Sequence, residues 1–493
     1  MSSSDYGEWE PVIGLEIHVQ LNTRSKMFGC EPNQFGDEPN VNIGYVDTGQ
    51  PGALPTINSE AVKKAVSFAL AVGAEVNLVS YFDRKSYFYP DCPLNYQITQ
   101  FYKPIMVGGE VTTEVEGKTM TFTIEHTHLE NDSGKLNHFP EFAGVDFNRS
   151  GTPLMEIVSD PCMRSAKEAV AYGQAIKAIM EYIDASECNM QEGHLRMDAN
   201  ISVRKKGETQ LRPKAEIKNM NSFFNMDLAI HAEIIRQIDF YTRNPGEIIQ
   251  SGTYRFDLEK KRTILMRAKE TSDDYRYFPE PDLPPLVVSQ KLVDQLKKEL
   301  PELPRARFTR YVETLGLSEY SAQLLVDDRS LCDEFEEGLR TSQNPKSFCN
   351  WLTVEFIGRI KDSGKTLRES GIQTAHIAEL VNLIEKGSIT GKIAKSVADD
   401  MVARPGTSPR EIIQTNPDYT PMTDMTLVEE IVARVVKENP ESIEDYKKGK
   451  EKAFQFLVGQ VMKETRGKAP PEVVRDLIQK KILSSGNGTD QKL

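Results

Sequence analysis

Two kinds of apolar periodicity divide the chain. In VIGLEIHVQL, Ile13, Leu15, Ile17, Val19 and Leu21 alternate with Gly14, Glu16, His18 and Gln20. In LRMDANISVR, Leu195, Met197, Ala199, Ile201 and Val203 alternate with Arg196, Asp198, Asn200, Ser202 and Arg204, and in KAEIKNMNS, Ala215 and Ile217 alternate with Lys214, Glu216 and Lys218. Period two puts each set on its own side of a strand, so three strands are predicted, each with one apolar and one polar face. Helical spacing marks two segments in this first part. Val62, Ala65, Val66, Ala69 and Leu70 run between a capping Asn58 and Gly73; Ala169, Tyr172, Ile176, Ile179 and Ile183 follow a Ser165–Glu168 capping box.

From about residue 291 to 405 the pattern is almost wholly helical, and Arg404-Pro405-Gly406 punctuates it. A second helical unit follows. Its stripes are Val428, Ile431, Val432 and Val435, then Phe454, Leu457, Val458, Val461 and Met462, then Val474, Leu477 and Ile478. Gly467 ends the middle helix and Pro470-Pro471 starts the last, so a small bundle loosely joined at Pro405-Gly406 is expected. The final SSGNGTDQKL, residues 484–493, is small and polar and is expected to be disordered.

Composition narrows the class. A chain of 493 residues suggests about three domains. It has no apolar run long enough for a bilayer, and MSSSDYGEWEP lacks a secretory pattern. Six scattered cysteines without a CxxC pair suggest neither a zinc knuckle nor a disulfide framework, so a reduced, cytoplasmic protein is expected. The net charge of −13 runs against nucleic-acid binding. Local charge reverses that sign: between Glu444 and Lys481 there are ten basic and six acidic residues, Lys463, Arg466 and Lys468 among the former.

The polar strand faces carry Asp, Asn, His and Arg, costly choices for a strand that merely meets water. They point to a concave catalytic surface. In HLENDSGK, His128, Glu130 and Asp132 share a side if extended, and Glu156 sits within the apolar run of TPLMEIVSDP, where burial demands a cationic partner or a metal. Several carboxylates with few soft donors suit Mg²⁺ rather than zinc. The chain has no GxxxxGK[ST] loop and no kinase signature. ATP phosphates, if bound, would be held by metal and by basic side chains, for which Arg84, Lys85, Arg149, Arg196, Arg204, Lys214 and Lys218 are candidates. A small-molecule carboxylate–amine ligase remains open on these residues alone, whereas the dense acidic strand faces argue against a non-catalytic nucleic-acid scaffold, since carboxylates repel phosphate unless a metal intervenes.

The blocks VIGLEIHVQL, DRKSYFYPDCPLNYQITQ, HLENDSGK, FNRSGTPLMEIVSDP, EGHLRMDANISV, KAEIKNMNSF and DDYRYFPEPDLPPL resemble, in order, those of the B-subunit family of aspartyl/glutamyl-tRNA amidotransferases, and FLVGQVMKETRGKAPPEVV resembles that family's tail. The resemblance implies an α+β fold: a glutamine-synthetase-like antiparallel cradle over 1–290, a helical domain over 291–405, and a helical YqeY-like tRNA-binding tail over 406–483. It implies ATP- and Mg²⁺-dependent phosphorylation of Glu on tRNA(Gln), or Asp on tRNA(Asn). Ammonia would come from a glutaminase partner, the amidase A-subunit, braced by a small C-subunit. It also implies site residues. Glu16, His18, Lys85 and Asp198 would be catalytic; His18, Glu130, Asn131 and Glu156 would hold metal. Arg84, Arg149, Arg196, Asn200, Arg204, Glu216 and Lys218 would bind substrate or ATP, and Lys463, Arg466 and Lys468 would bind tRNA. Position 131 commonly carries a second Glu in the family and is Asn here, which weakens a metal site at 130–131. No cysteine sits in a glutaminase-like motif, so glutamine hydrolysis is expected in the partner.

Overall fold

The period-two segments form the middle of a ten-stranded sheet. In the computed structural model, which describes residues 6–268, 272–419, 425–465 and 467–484, its strands are β1 (Trp9–Gln20), β2 (Glu75–Val76), β3 (Met106–Val107), β4 (Glu110–Val115), β5 (Lys118–Asn131), β6 (Pro153–Ser159), β7 (Leu195–Lys205), β8 (Ala215–Met220), β9 (Gly252–Asp257) and β10 (Arg262–Ala268). They lie in the order β10-β9-β8-β7-β1-β6-β5-β3-β2, with β4 also paired to β5. Pairing is antiparallel throughout except between β8 and β9. Smaller sheets flank it, one joining Asp83–Ser86 to Tyr96–Thr99 and Phe278–Pro279.

Alternation decides which face is covered. Ile13, Leu15, Ile17 and Val19 of β1 and Leu195, Met197, Ala199, Ile201 and Val203 of β7 are fully buried in one core with helices α1 (Ser59–Ala71), α2 (Ala166–Tyr182) and α3 (Phe223–Arg243). Asn58 caps α1 by accepting from the amides of Glu60 and Ala61, and Gly73 takes a φ of +66° just beyond its end. Ser165 caps α2, but Glu168 reaches back to the amide of Arg164 at 2.7 Å, one residue earlier than a standard capping box. The α3 helix lacks a clean apolar stripe because two polar residues lie fully buried in it. Glu233 accepts from Arg236, Gln237 and Thr263, and Gln237 donates to the carbonyl of Ile201, so buried hydrogen bonds tie α3 to β7 and β10.

Contacts divide the chain into two units at Ala306/Arg307. The helix Gln290–Glu299 contributes Val293 and Leu296 to the core of the first unit, so the change of texture near 290 and the division of contacts do not coincide. Among its described residues the second unit is helical, without a strand. Its three predicted C-terminal stripes close one core around Val428, Val432, Leu457, Val461, Val474 and Ile478. Gly467 turns between the last two helices at φ +78°, and its carbonyl accepts from the hydroxyl of Thr390 at 2.6 Å. Thr390 also caps the helix Gly391–Ala403. This hydrogen bond joins the tail's turn to the start of the helix Gly391–Ala403, across the joint expected at Pro405-Gly406.

Ile17, with no exposed surface, is paired between Ile157 of β6 and Met197 of β7. Ile17→Ala is expected to destabilise the first unit by about 2–5 kcal/mol, because neighbours on both sides of a central strand cannot collapse into the space. Urea unfolding followed by far-UV circular dichroism measures this; a loss under about 1 kcal/mol would show that the sheet centre is loosely packed.

Candidate active site

The strand registers bring the polar residues into two adjoining rows. His18 pairs with Glu156 of β6 on one side and Arg196 of β7 on the other, and Glu156 pairs in turn with His128 of β5. Two residues along β1, Glu16 faces Asp198, and on β7 Asn200 faces Glu216 of β8. These side chains lie on the face opposite the helix-packed core, yet Glu130, Asp198, Asn200 and Glu216 are buried. The polar face is thus a lined cleft and not a solvated surface. The cleft encloses about 710 Å³ and is bordered by Glu16, His18, Lys85, His128, Glu156 and Lys218.

Two carboxylate-rich clusters occupy its floor. In the first, Glu156 is 3.2 Å from His18 Nε2 and 3.3 Å from His128 Nε2, and Glu130 lies 3.9 Å from His128. Ligand atoms of His18, Glu130 and Glu156 all fall within 4.8 Å of one another. In the second, the same holds for Glu16, Asp198 and Glu216. Asn200 donates to Glu16 at 2.7 Å, Lys218 lies 3.3 Å from Asp198 and 3.4 Å from Glu216, and Thr253 donates to Glu216 at 2.9 Å.

Electrostatics at the floor follow from this crowding. Burial alone would lower the pKa of His18, but the Glu156 carboxylate outweighs it and pushes the imidazole up to about 9. A histidine so placed must release that proton before it can bind a cation. Burial would raise Glu156, but His128 and His18 hold it well below the usual carboxylate range. Glu16 is pushed up, first by burial and then by repulsion from Glu156 and Glu216. Lys85 and Lys218 are desolvated, yet each stays firmly protonated, Lys85 through Glu130 and Glu156 and Lys218 through Asp198 and Glu216. Glu130 Oε2 is buried without a hydrogen-bond partner. An orphaned carboxylate oxygen beside two hard-donor clusters fits a divalent cation such as Mg²⁺.

The structure sorts the remaining candidates. Asn131 does not join the first cluster: it alternates to the other face of β5 from Glu130, and its amide oxygen accepts from the amide of Ile98 at 2.7 Å. Arg84 is also placed elsewhere. Glu280 and Asp282 hold its guanidinium at 2.7 and 3.1 Å, and Tyr96 stacks on it, so it fastens a small sheet while its neighbour Lys85 faces the clusters. Arg204 is held by Glu10 at 2.7 Å and borders neither large cleft. Arg149 and Arg196 meet at Asp132 instead, at 3.7 and 2.6 Å, beside a second cleft of about 820 Å³. Asp132 is buried, which would raise its pKa; the two guanidinium groups and Gln20 hold it down at about 2. In the second unit Lys463 is exposed, whereas Lys468 is paired with Asp418 at 3.2 Å. Arg466 lies outside the described residues. His128, expected on one side with Glu130, stands in the first cluster as an ion-pair partner of Glu156. Phe101, Tyr275 and Tyr277 were missed; they line the cleft from segments remote in sequence.

The GatB/GatE catalytic domain family matches residues 11–294, more than half the chain, and the GatB domain family matches residues 333–482. The chain belongs to the GatB family. The B subunit of the aspartyl/glutamyl-tRNA(Asn/Gln) amidotransferase of Protochlamydia amoebophila is 56% identical over 487 residues, covering 98% of this chain and 99% of the relative. Its namesake from Chlamydia muridarum is 54% identical over 475 residues, covering 96% and 97%. That of Chlamydia pneumoniae is 52% identical over 480 residues, covering 97% and 98%. Both carboxylate clusters fall inside the GatB/GatE catalytic match. The GatB domain match runs unbroken across Pro405-Gly406, in keeping with the Thr390–Gly467 hydrogen bond.

Proposed function

We propose that this GatB chain phosphorylates the side-chain carboxylate of glutamate on tRNA(Gln), or of aspartate on tRNA(Asn), with ATP, and that ammonia then displaces the phosphate to form the amide. The observation that carries this reading is the pair of three-ligand clusters, His18–Glu130–Glu156 and Glu16–Asp198–Glu216, on one buried polar face with Lys85 and Lys218 beside them. In the first step a carboxylate oxygen of the aminoacyl group attacks the γ-phosphorus and ADP leaves. In the second, nitrogen bonds to the acyl carbon, inorganic phosphate leaves, and the nitrogen sheds its excess proton. The first step needs positioning and charge neutralisation more than covalent help from the protein.

The chain's residues supply both. His18, Glu130 and Glu156 on one side, and Glu16, Asp198 and Glu216 on the other, would hold Mg²⁺. The chemistry provided by Mg²⁺ bound there is neutralisation of phosphate charge. Lys85 and Lys218 keep their protons despite burial and present fixed positive charge at the floor. Asn200 orients Glu16 through its 2.7 Å hydrogen bond. Ammonia would come from a partner amidase, the A-subunit, with a small C-subunit completing the heterotrimer, in the cytoplasm; no helix among the described residues is long and apolar enough to cross a membrane.

Incubating the assembled enzyme with Glu-tRNA(Gln), ATP and ammonium chloride should yield ADP, phosphate and Gln-tRNA(Gln), and hydroxylamine should trap the activated acyl group as a hydroxamate. Release of AMP and pyrophosphate instead would overturn phosphoryl transfer in favour of adenylation. The chain by itself is expected to hydrolyse no glutamine; robust glutaminase activity from the purified chain would remove the need for an amidase partner.

A further inference from the structure

We propose that Lys26, which borders neither large cleft, is a positioning residue for the phosphorylation site: it fixes the turn that carries Arg149 and, through Asp132, the guanidinium of Arg196 beside the two carboxylate clusters. This rests on the phosphorylation reading above and adds to it a support that lies outside the cleft. Lys26 has no exposed surface, which is rare for a lysine. Its ammonium donates to the carbonyls of Asn148 and Ser150, the second at 2.5 Å. Those two carbonyls flank Arg149, so both bonds bear on the backbone around one residue. The lysine is itself anchored. Its amide donates to the carbonyl of Glu31 at 3.0 Å, and its carbonyl accepts from the side chain of Asn58, the cap of α1, at 3.1 Å. The next residue, Met27, donates to the carbonyl of Gly151 at 2.7 Å and is buried in the core.

Burial lowers the Lys26 pKa against the pull of Asp47, Glu31, Asp132 and Asp146. A buried ammonium is costly to keep, and an apolar residue of similar length would serve packing as well. What the ammonium adds is a set of directed bonds, and the contacts that follow from them lead to the floor of the site. Arg149 donates to the carbonyls of Ser133, at 2.9 Å, and Gly134, at 2.6 Å, and lies 3.7 Å from Asp132. Asp132 accepts from Gln20 at 2.8 Å and from Arg196 at 2.6 Å. Arg196 pairs with His18 across β7 and β1. Burial opposes the Arg196 charge, and Asp132, Asp198 and Glu130 outweigh it, so this cation is coupled to a carboxylate of each cluster. A displacement of about 1 Å in a group beside the reacting atoms can cost about 10²-fold in rate, and Lys26 stands at the far end of the contacts that set Arg196.

In the assembled heterotrimer, supplied with Glu-tRNA(Gln), ATP and ammonium chloride, Lys26→Met should lower kcat for ADP formation by about 10- to 100-fold, with KM for ATP and for aminoacyl-tRNA within about threefold. A smaller folded fraction would lower kcat too, so the deciding readout is a double-mutant cycle. Arg149→Met cuts the same line of contacts. In its background Lys26→Met should cost less than about threefold more, because the line is already broken, whereas independent losses would multiply. Should Lys26→Met not assemble with its partners, Lys26→Met combined with Asp47→Asn, which removes the buried cation and a facing anion together, takes its place in the cycle. Losses that multiply, a kcat within about threefold of the unsubstituted enzyme, or failure of both variants to assemble each overturns the assignment, the last by making Lys26 a requirement of folding alone. Absence of ADP formation by the unsubstituted enzyme would instead overturn the phosphorylation reading, so the two failures are told apart.

Discussion

Glu156→Gln is expected to lower ATP-dependent amidation by at least about 10³-fold, roughly 4 kcal/mol of barrier, while the fold and tRNA affinity persist. The substitution is isosteric and sits on β6 between two well-packed strands, so the sheet has no reason to rearrange. What changes is charge. Glu156 is the anion that His18 and His128 share at 3.2 and 3.3 Å, and it helps keep Lys85 protonated. A neutral amide leaves Glu130 to balance His128 and Lys85 and Asp198 to balance His18, and it weakens the His18–Glu130–Glu156 cluster as a cation site. Three measurements separate the outcomes. The rate of ADP formation should fall with that of amidation, titration calorimetry should show weaker Mg²⁺ binding, and filter binding of aminoacyl-tRNA should change by less than about twofold. ATP-dependent amidation within tenfold of the unsubstituted enzyme would mean that Glu156 holds no part of the phosphorylation site.

Much of that site could be read from strand alternation alone. Period two in VIGLEIHVQL and LRMDANISVR placed Glu16, His18, Asp198 and Asn200 on polar faces; Glu16 and His18 line the cleft, and Asp198 and Asn200 lie against them on the neighbouring strand. The same rule separates Glu130 from Asn131, and Arg84 from Lys85, since neighbours on a strand point to opposite sides. Family blocks group such neighbours as single candidates, whereas the strand geometry splits them. Sequence could not supply the registers. That His18 meets Glu156 and Glu156 meets His128 depends on three strands separated by long connections. Nor could it show that Arg84 is saturated by Glu280, 196 residues away, which leaves Lys85 as the cation of that pair that faces the clusters. The α3 helix was hidden for a different reason. Its buried Glu233 and Gln237 interrupt the apolar stripe, and only their hydrogen bonds to Thr263 and Ile201 explain why polar residues stand there.

Truncation after Tyr419 is expected to raise KM for aminoacyl-tRNA by about tenfold or more and to flatten its dependence on salt, with amidation at saturating tRNA little changed. The cut is placed there because Ile412 is fully buried on the helix Pro409–Thr415, which packs with the helices before it; cutting at Gly406 would strip a core residue. The C-terminal helices, by contrast, enclose their own core, so removing them leaves few apolar groups newly bared. Their outer surface carries Lys447, Lys448, Lys450, Lys452 and Lys463, all exposed, on a chain that is acidic overall. Cations that meet phosphates release counterions, and each such contact adds close to one unit to the slope of log affinity against log salt. A single change should do much less. Lys468→Ala removes a lysine already engaged by Asp418, so its effect on KM should stay within about threefold, whereas Lys463→Glu, at an exposed position, should exceed it. If the truncated enzyme kept both its KM and its salt slope between about 50 and 200 mM, the basic surface would have no part in holding tRNA.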